Sequence, residues 1–219
     1  MLEGQVPIDL EVPYIKPKTL SIGVPCWRTD IKAEFLKSLV SVLLDRDIPT
    51  IDFYLARNIS VADARNDIVT NTTGDYLLMI DPDITFYSKD VKKLMAEDRD
   101  IVAGLFFQKT PPYRPLLFDY NKTKNLYDNV FDYKKEEIRS VDAVGTGFIM
   151  IKRTVFEALE DPWFVYHNPK TGLGEDFYFC KKAKEKGFEV FVDTSVKVGH
   201  IGEHEATERD FLNENPHLH

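Results

Sequence analysis

The sequence has few cysteines, no excess of basic residues and no long hydrophobic run. Its two cysteines, Cys26 and Cys180, are far apart and lack metal-type spacing, which argues against a disulfide framework or a zinc knuckle. Lys and Arg number 28 against 36 Asp and Glu, and the net charge of -8 argues against an extensive nucleic-acid surface. Because no run reaches membrane-span length and residues 1–18 lack a secretory signal, we expect no transmembrane segment and a cytoplasmic location.

Glycine-rich phosphate-binding loops are absent as well. The chain contains neither a Walker A sequence nor a Gly-x-Gly-x-x-Gly fingerprint after a strand. If this protein binds a nucleotide, carboxylates and a metal ion must therefore neutralise its phosphates in place of a glycine-rich loop.

Strand and helix patterns alternate through the first half of the chain. This alternation predicts an α/β fold with a mostly parallel central sheet and helices on both faces. The predicted elements are a strand at Leu20–Pro25, a helix from about Thr29 to Leu44 capped by Thr29 or Asp30, a strand at Ile51–Leu55, a helix at Ser60–Thr70, a strand that starts at Tyr76 and ends at Asp81 and Asp83, a helix from Ser88 to Met95 capped by Ser88, and a strand at Asp100–Phe107.

The second half is less regular. Val141–Ile151 is predicted to form a buried strand, although Gly145 and Gly147 weaken it unless a ligand or another backbone approaches closely. A helix is predicted from Gly174 to Gly187, and a last strand at Phe188–Val192.

The length of 219 residues fits a single domain. The early prolines favour an extended lead-in over residues 1–18, and the polar residues after Gly202 predict a loosely held tail over residues 203–219. Residues 19–202 are expected to form the domain itself.

The stretch from Tyr76 to Phe86 carries the clearest chemical signal. Its apolar strand stops at Asp81 and Asp83, which are separated only by Pro82. Residues two apart in extended chain project to the same side, so both carboxylates are expected to face one point. Such a pair suits Mg²⁺ or Mn²⁺ that takes further ligands from a phosphate, and the alternative is a solvated turn that ends a strand.

Other polar groups are predicted to converge on this point. Open α/β sheets bind ligands at the carboxyl ends of their strands, where Pro25–Trp27, Arg57 and Gln108–Lys109 also fall. A pocket with two aspartates, a metal and a few basic side chains suits the diphosphate of a nucleotide.

The order of five short motifs resembles that of the GT-A fold glycosyltransferases, close to the large family-two group. The resemblance covers roughly Leu20 to Gly202 and implies a nucleotide-binding first half and a smaller acceptor-side second half. The motifs are Ala64-Arg65-Asn66, the segment ending in Asp81-Pro82-Asp83, Val144-Gly145-Thr146-Gly147-Phe148, Gly174-Glu175-Asp176, and His200.

The resemblance implies a set of donor and metal ligands. Asp83 would ligate the metal, Asp81 would contact the ribose or join the metal shell, and His200 would be a third ligand. A lone histidine is more often structural, which is the alternative here. The donor-binding residues implied are Pro25, Arg65, Asn66, Asp81, Asp83, Gly145 and Gly147.

The resemblance also implies a catalytic acid. Asp176 matches the family's catalytic position and would act as general base on the acceptor hydroxyl. Glu175 beside it is the second catalytic candidate, so that one acid could cap the helix while the other reacts; a simple N-terminal cap is the alternative for Asp176. Asp176 favours inversion of the anomeric configuration, whereas late metal-binding histidines occur often among retaining members.

Two further segments are candidates for the site. The aromatic residues from Trp163 to His167 are expected either to line a sugar or to belong to the core. The loop from Lys109 to Arg114 is expected either to close over the donor or to be an ordinary surface loop. The usual Asp-Asp-Gly-Ser sequence of the family is replaced by Leu55–Asn58, so the residue that would contact the nucleotide base is not identified.

The function expected from these residues is a metal-dependent glycosyltransferase of the hexosyltransferase type. It would use Mn²⁺ or Mg²⁺ and a UDP- or GDP-sugar, and would transfer the sugar to a hydroxyl acceptor. The alternatives are a sugar-phosphate nucleotidyltransferase, which would need a glycine-rich basic loop after the first strand, and a non-catalytic sugar-binding module. The donor sugar, the acceptor and the oligomeric state stay open.

Overall fold

A computed structural model describes residues 18–26, 31–57, 60–166, 174–202 and 205–216. The strands formed by these residues are β1 (Leu20–Pro25), β2 (Thr50–Ala56), β3 (Tyr76–Ile80), β4 (Ile84–Thr85), β5 (Ile101–Leu105), β6 (Leu117–Asn121), β7 (Leu126–Asn129), β8 (Ile138–Val141), β9 (Ala143–Val144), β10 (Phe148–Lys152), β11 (Val190–Lys197), β12 (Gly199–Ile201) and β13 (Glu205–Ala206). The helices are α1 (Ala33–Leu43), α2 (Val61–Thr70), α3 (Ser88–Glu97), α4 (Arg153–Ala158), α5 (Glu175–Glu185) and α6 (Glu208–Glu214).

A seven-stranded sheet in the order β2-β1-β3-β10-β5-β11-β8 forms the centre of the molecule. β1 pairs in parallel with β2 and β3, and β5 pairs in parallel with β11. β10 is antiparallel to both β3 and β5, and β8 is antiparallel to β11. The prediction of a mostly parallel α/β sheet is confirmed, with β10 inserted between its two parallel parts.

The apolar side chains of the central strands alternate between two core layers. Leu77 and Met79 of β3 point into one layer, while Tyr76, Leu78 and Ile80 point into the other. The first layer is covered by α2, α4 and α5, and the second by α1 and α3. Because both faces are covered, β3 is apolar at every position rather than at alternate ones.

The helix starts differ from the predictions in detail. The predicted cap residues Thr29 and Asp30 lie outside the described residues, and α1 has Lys32 at its N-cap. Ser60 caps α2 as predicted, since its hydroxyl accepts a hydrogen bond from the backbone amide of Asp63 at 3.1 Å. The predicted Ser88 cap is wrong, because the Asp90 carboxylate instead bonds the amide of Tyr87, which becomes the cap residue of α3.

The largest correction concerns residues 141–151, where one strand was predicted. The chain instead forms the end of β8, then β9 in a small sheet with β6 and β7, and then β10 in the central sheet. Between β9 and β10, a Cβ atom on Gly145 would lie 2.8 Å from a ring atom of Phe106, and one on Gly147 would lie 3.0 Å from a carboxylate oxygen of Asp81. The two glycines therefore allow a close backbone approach at the end of β3.

The C-terminal segment is more regular than its polar sequence predicts. After a second small sheet of β4, β12 and β13, helix α6 buries Phe211 against the core. The Phe211 ring stacks on Phe107 with centroids 5.5 Å apart. Within the described residues, no helix combines the length and the apolar character that crossing a bilayer requires.

Candidate active site

The two aspartates that follow β3 lie at the carboxyl edge of the central sheet. The backbone amide of Asp81 donates to the carbonyl of Gly147 at 2.9 Å, and the amide of Ile84 donates back to the Asp81 carbonyl at 3.1 Å. This turn holds the start of β4 beside the glycine segment that precedes β10. These two main-chain hydrogen bonds fix the backbone that carries both carboxylates.

Arg65 of α2 joins three elements at this edge although its side chain is only 2% exposed. Its Nη2 donates to the Asp81 carboxylate at 2.9 Å, its Nε to Glu175 of α5 at 3.4 Å, and its Nη1 to the Thr146 carbonyl at 3.3 Å. Burial opposes the charge, but the carboxylates of Asp81, Asp176 and Glu175 outweigh it and raise the pKa of Arg65. The guanidinium therefore stays charged, and each of its three nitrogens donates to a protein acceptor.

Asp176 lies in the first turn of α5, next to this cluster. Its carboxylate accepts a hydrogen bond from the Thr146 hydroxyl. Burial, followed by the negative charge of Glu175, raises the pKa of Asp176 to about 7, although Arg65 and Thr146 favour its charged form. A carboxylate with a pKa near neutrality is suited to accept a proton from a hydroxyl group.

Asp83 and His200 are brought together by the pairing of β4 with β12. Ile84 is opposite His200 in this pair, and the amide of Ile201 donates to the Asp83 carbonyl at 2.8 Å. The imidazole Nε2 lies 3.6 Å from the Asp83 carboxylate. The imidazole Nδ1 lies 2.7 Å from the carbonyl oxygen of Phe107, and since a carbonyl only accepts, Nδ1 carries a proton directed at that carbonyl while Nε2 faces Asp83.

Lys109 is the second partner of the Asp83 carboxylate. Its ammonium group forms an ion pair with the oxygen that does not face His200. Burial favours the neutral acid, but the neighbouring His200 and Lys109 prevail and hold the pKa of Asp83 below its ordinary value. The carboxylate is therefore ionised and has a cationic neighbour.

The donor atoms at Asp83 and His200 fit a divalent cation. Divalent cations are commonly bound by a carboxylate oxygen together with the nitrogen of an imidazole whose other N–H donates to a carbonyl. Across the described ranges, no group of three or more His, Cys, Asp or Glu side chains is arranged to hold a metal alone. A cation bound by these two residues would need its remaining ligands from a diphosphate and water.

The remaining predicted donor residues differ in how they face this edge. Pro25 ends β1, is buried, and pairs with Ala56 of β2. The Asn66 amide makes two hydrogen bonds to the backbone of Phe164, at 2.8 and 2.9 Å, and so anchors the segment after α4. Arg57 is exposed, while Trp27 lies outside the described residues.

The aromatic segment from Trp163 is divided between core and surface. Phe164 is buried and stacks on Phe179, and the Trp163 indole donates to the Phe156 carbonyl at 2.9 Å, so both belong to the core. Tyr166 is exposed, and His167 lies outside the described residues. The hydrogen bond from Thr146 to Asp176 was not predicted, although the place of Thr146 between two glycines in an apolar run was an available signal.

A central sheet with an antiparallel strand between two parallel parts, and carboxylates at its carboxyl edge, is the GT-A architecture of glycosyltransferases. Residues 29–160, more than half of the chain, match the model of "Glycosyl transferase family 2". The chain belongs to this family. The resemblance predicted from the sequence is thus confirmed at the level of fold and family.

Two solved structures have the same fold. The protein A197 from STIV is 22% identical, with 85% of this chain and 86% of that chain covered and a TM-score of 0.56. GalNAc-T7, crystallised with UDP, GalNAc and Mn²⁺, is 16% identical, with 90% of this chain covered and a TM-score of 0.59. The match spans 47% of the GalNAc-T7 chain, about half its length. A search of curated proteins finds no match.

Proposed function

We propose that this protein is a metal-dependent glycosyltransferase that moves a hexose from a nucleoside diphosphate sugar to a hydroxyl acceptor. One observation carries the proposal: the Arg65 guanidinium bonds Asp81 at the end of β3 and Glu175 at the start of α5. Through this contact the carboxylates after β3 and the Asp176 carboxylate belong to one site. The arrangement supports binding of a donor beside a general base.

On the donor side, Asp83 and His200 are the residues that would hold Mn²⁺ or Mg²⁺. The bound cation would stabilise the negative charge on the departing diphosphate. One Asp81 oxygen accepts a hydrogen bond from Arg65, and the other lies beside Gly147. This second oxygen would contact the donor ribose. Arg65 is proposed as a positioning residue, because its three donor nitrogens are directed at protein acceptors.

The remaining donor contacts are assigned to backbone and small residues. Gly145 and Gly147 would border the donor sugar through their backbone, along the segment before β10. Pro25 would begin the wall beside the base. Asn66 would contribute through the Phe164 backbone that it holds.

In the reaction, Asp176 would take the proton of the acceptor hydroxyl. The acceptor oxygen forms a bond to the anomeric carbon while the bond from that carbon to the diphosphate oxygen breaks, and the electron pair leaves with the nucleoside diphosphate. Thr146 orients the base by donating to its carboxylate. Attack from the side opposite the leaving group inverts the anomeric configuration.

A donor screen tests this function. Nucleoside diphosphate release is measured with UDP- and GDP-hexoses, with sugar and glycan acceptors, in Mn²⁺, in Mg²⁺ and in EDTA. The UDP and Mn²⁺ present in the GalNAc-T7 crystal make that pair the first to test. We expect turnover that EDTA abolishes and Mn²⁺ restores. Donor binding without hydrolysis or transfer across the panel would instead indicate a non-catalytic module, and pyrophosphate release from a nucleoside triphosphate and a sugar phosphate would indicate a nucleotidyltransferase.

A further inference from the structure

The ion pair between Lys109 and Asp83 places an ammonium group on one of the two proposed metal ligands. The carboxylate has His200 on one oxygen and Lys109 on the other. A cation that binds Asp83 and a lysine that binds Asp83 compete for the same negative charge. The lysine side chain is 42% exposed and the aspartate 20%, so Lys109 has room to leave toward solvent while Asp83 does not.

The loop that carries Lys109 is fixed on both sides of this residue. The carbonyl of Phe107, two residues earlier, holds the His200 imidazole, and Phe107 also forms a β-bridge with Pro115. The amide of Gln108 donates to the Arg114 carbonyl at 2.9 Å. Because the flanking backbone is tied down, exchange of the lysine requires only side-chain rotation, and the His200 ligand stays in place when it occurs.

We propose that Lys109 neutralises Asp83 in the free protein and transfers its ammonium group to the donor diphosphate when the metal binds. This inference rests on the proposed function. A divalent cation replaces the lysine on Asp83 and leaves an unpaired positive charge nearby. The diphosphate that arrives with the cation supplies an anion for that charge, so Lys109 exchanges a carboxylate partner for a phosphate partner.

Two opposite effects of one side chain follow from this exchange. Without nucleotide, Lys109 opposes the cation, because the cation must displace it. With nucleotide, Lys109 favours the complex, because its charge adds to the attraction for phosphate. A lysine with only a structural role would not act in opposite directions on the two ligands.

The test is a pair of titrations on wild type and Lys109→Met, which keeps an unbranched side chain and removes the charge. Mn²⁺ binding without nucleotide is followed by electron paramagnetic resonance of free Mn²⁺, and UDP and GDP binding at saturating Mn²⁺ by calorimetry. We expect the variant to bind Mn²⁺ alone roughly three- to tenfold more tightly, and the nucleoside diphosphate more weakly by a similar factor. Lys109→Arg should keep the nucleotide affinity within about threefold of wild type.

Lys124→Met is the matched control, because Lys124 also forms an exposed ion pair with an aspartate, Asp128, in a hairpin outside the site. It should change neither affinity. Weaker binding of both ligands by Lys109→Met, or no change in either, would overturn the exchange while leaving the proposed function intact. If wild type binds neither UDP nor GDP with Mn²⁺, the proposed function itself fails, and the exchange fails with it.

Discussion

Arg65 and Lys109 both pair with an aspartate of the same short turn, but they are built into the molecule in different ways. Arg65 is 2% exposed and bonds Asp81, Glu175 and the Thr146 carbonyl. Lys109 is 42% exposed and bonds Asp83 from a surface loop. Within the described residues, Arg65 is held by three partners, whereas Lys109 pairs with one carboxylate and is partly open to solvent.

The difference shows that two carboxylates in one turn need not do the same work. The pair with a buried arginine loses several interactions at once if it is broken, because guanidinium geometry fits several acceptors together. The pair with an exposed lysine is screened by solvent and is easily exchanged. We therefore propose that Asp81 is held in place by the internal framework of the site, whereas Asp83 can exchange its partner.

The largest expected effect comes from Arg65→Met. The substitution leaves three acceptors without their donor inside the protein, and breaking a buried ion pair in this way costs about 3–5 kcal/mol of unfolding free energy. Urea denaturation measures this loss, and transfer activity should disappear with it. Arg65→Lys should fail to restore the stability, since a lysine has a single nitrogen.

Lys109→Met is the control for that comparison. Its effect on the free energy of unfolding should stay within about 1 kcal/mol, as for other exposed ion pairs. Equal destabilisation by the two variants would remove the distinction between a fixed and an exchangeable cation.

A second effect, on the rate, is expected from Asp176→Asn. Loss of a general base lowers the turnover number by about a hundredfold to ten-thousandfold. A fall of less than about threefold in the turnover number would remove Asp176 from the mechanism.

The same variant has a stability signature. Because the pKa of Asp176 is raised to about 7 in the folded state, its contribution to stability is full below its unfolded-state pKa and is lost as the pH rises through about 7. Asp176→Asn should therefore raise the melting temperature relative to wild type at pH 8 and have little effect at acidic pH.

Asp83→Asn should act on the metal-dependent step while sparing the framework. The amide neither carries the charge that attracts a cation nor retains the Lys109 ion pair, so we expect about a hundredfold loss of Mn²⁺-stimulated turnover. The free energy of unfolding should change far less than in Arg65→Met. Full Mn²⁺-dependent turnover of Asp83→Asn would contradict the assignment of Asp83 as a ligand.

The smallest effect, a shift in pH dependence, is expected from the partners of Asp176. The Thr146 hydroxyl stabilises the ionised carboxylate, so Thr146→Val should raise the pKa of Asp176 and move the rising limb of the pH–rate profile to higher pH. The charge of Glu175 acts in the opposite sense, so Glu175→Gln should move the limb to lower pH. Shifts of the same sign would show that another group controls the limb.

The sequence predicts the strands of the parallel sheet well because their apolar runs are long and end at clear polar signals. It does not predict that Arg65 is buried, because the sequence shows a charge but not how many acceptors surround it. The sequence of residues 141–151 leads to the wrong prediction of a single strand for a related reason. Apolar residues on both sides of Gly145 and Gly147 resemble one strand, whereas the close approach to Asp81 and Phe106 that breaks it depends on chain segments far away in the sequence.

The C-terminal helix has a practical consequence for anyone who handles this protein. Phe211 stacks on Phe107, and the Asn215 amide reaches the Pro112 carbonyl, so α6 supports the loop whose backbone orients His200. We expect a protease cut within α6 to remove that support. Assays are therefore best designed with intact mass confirmed before kinetics are compared.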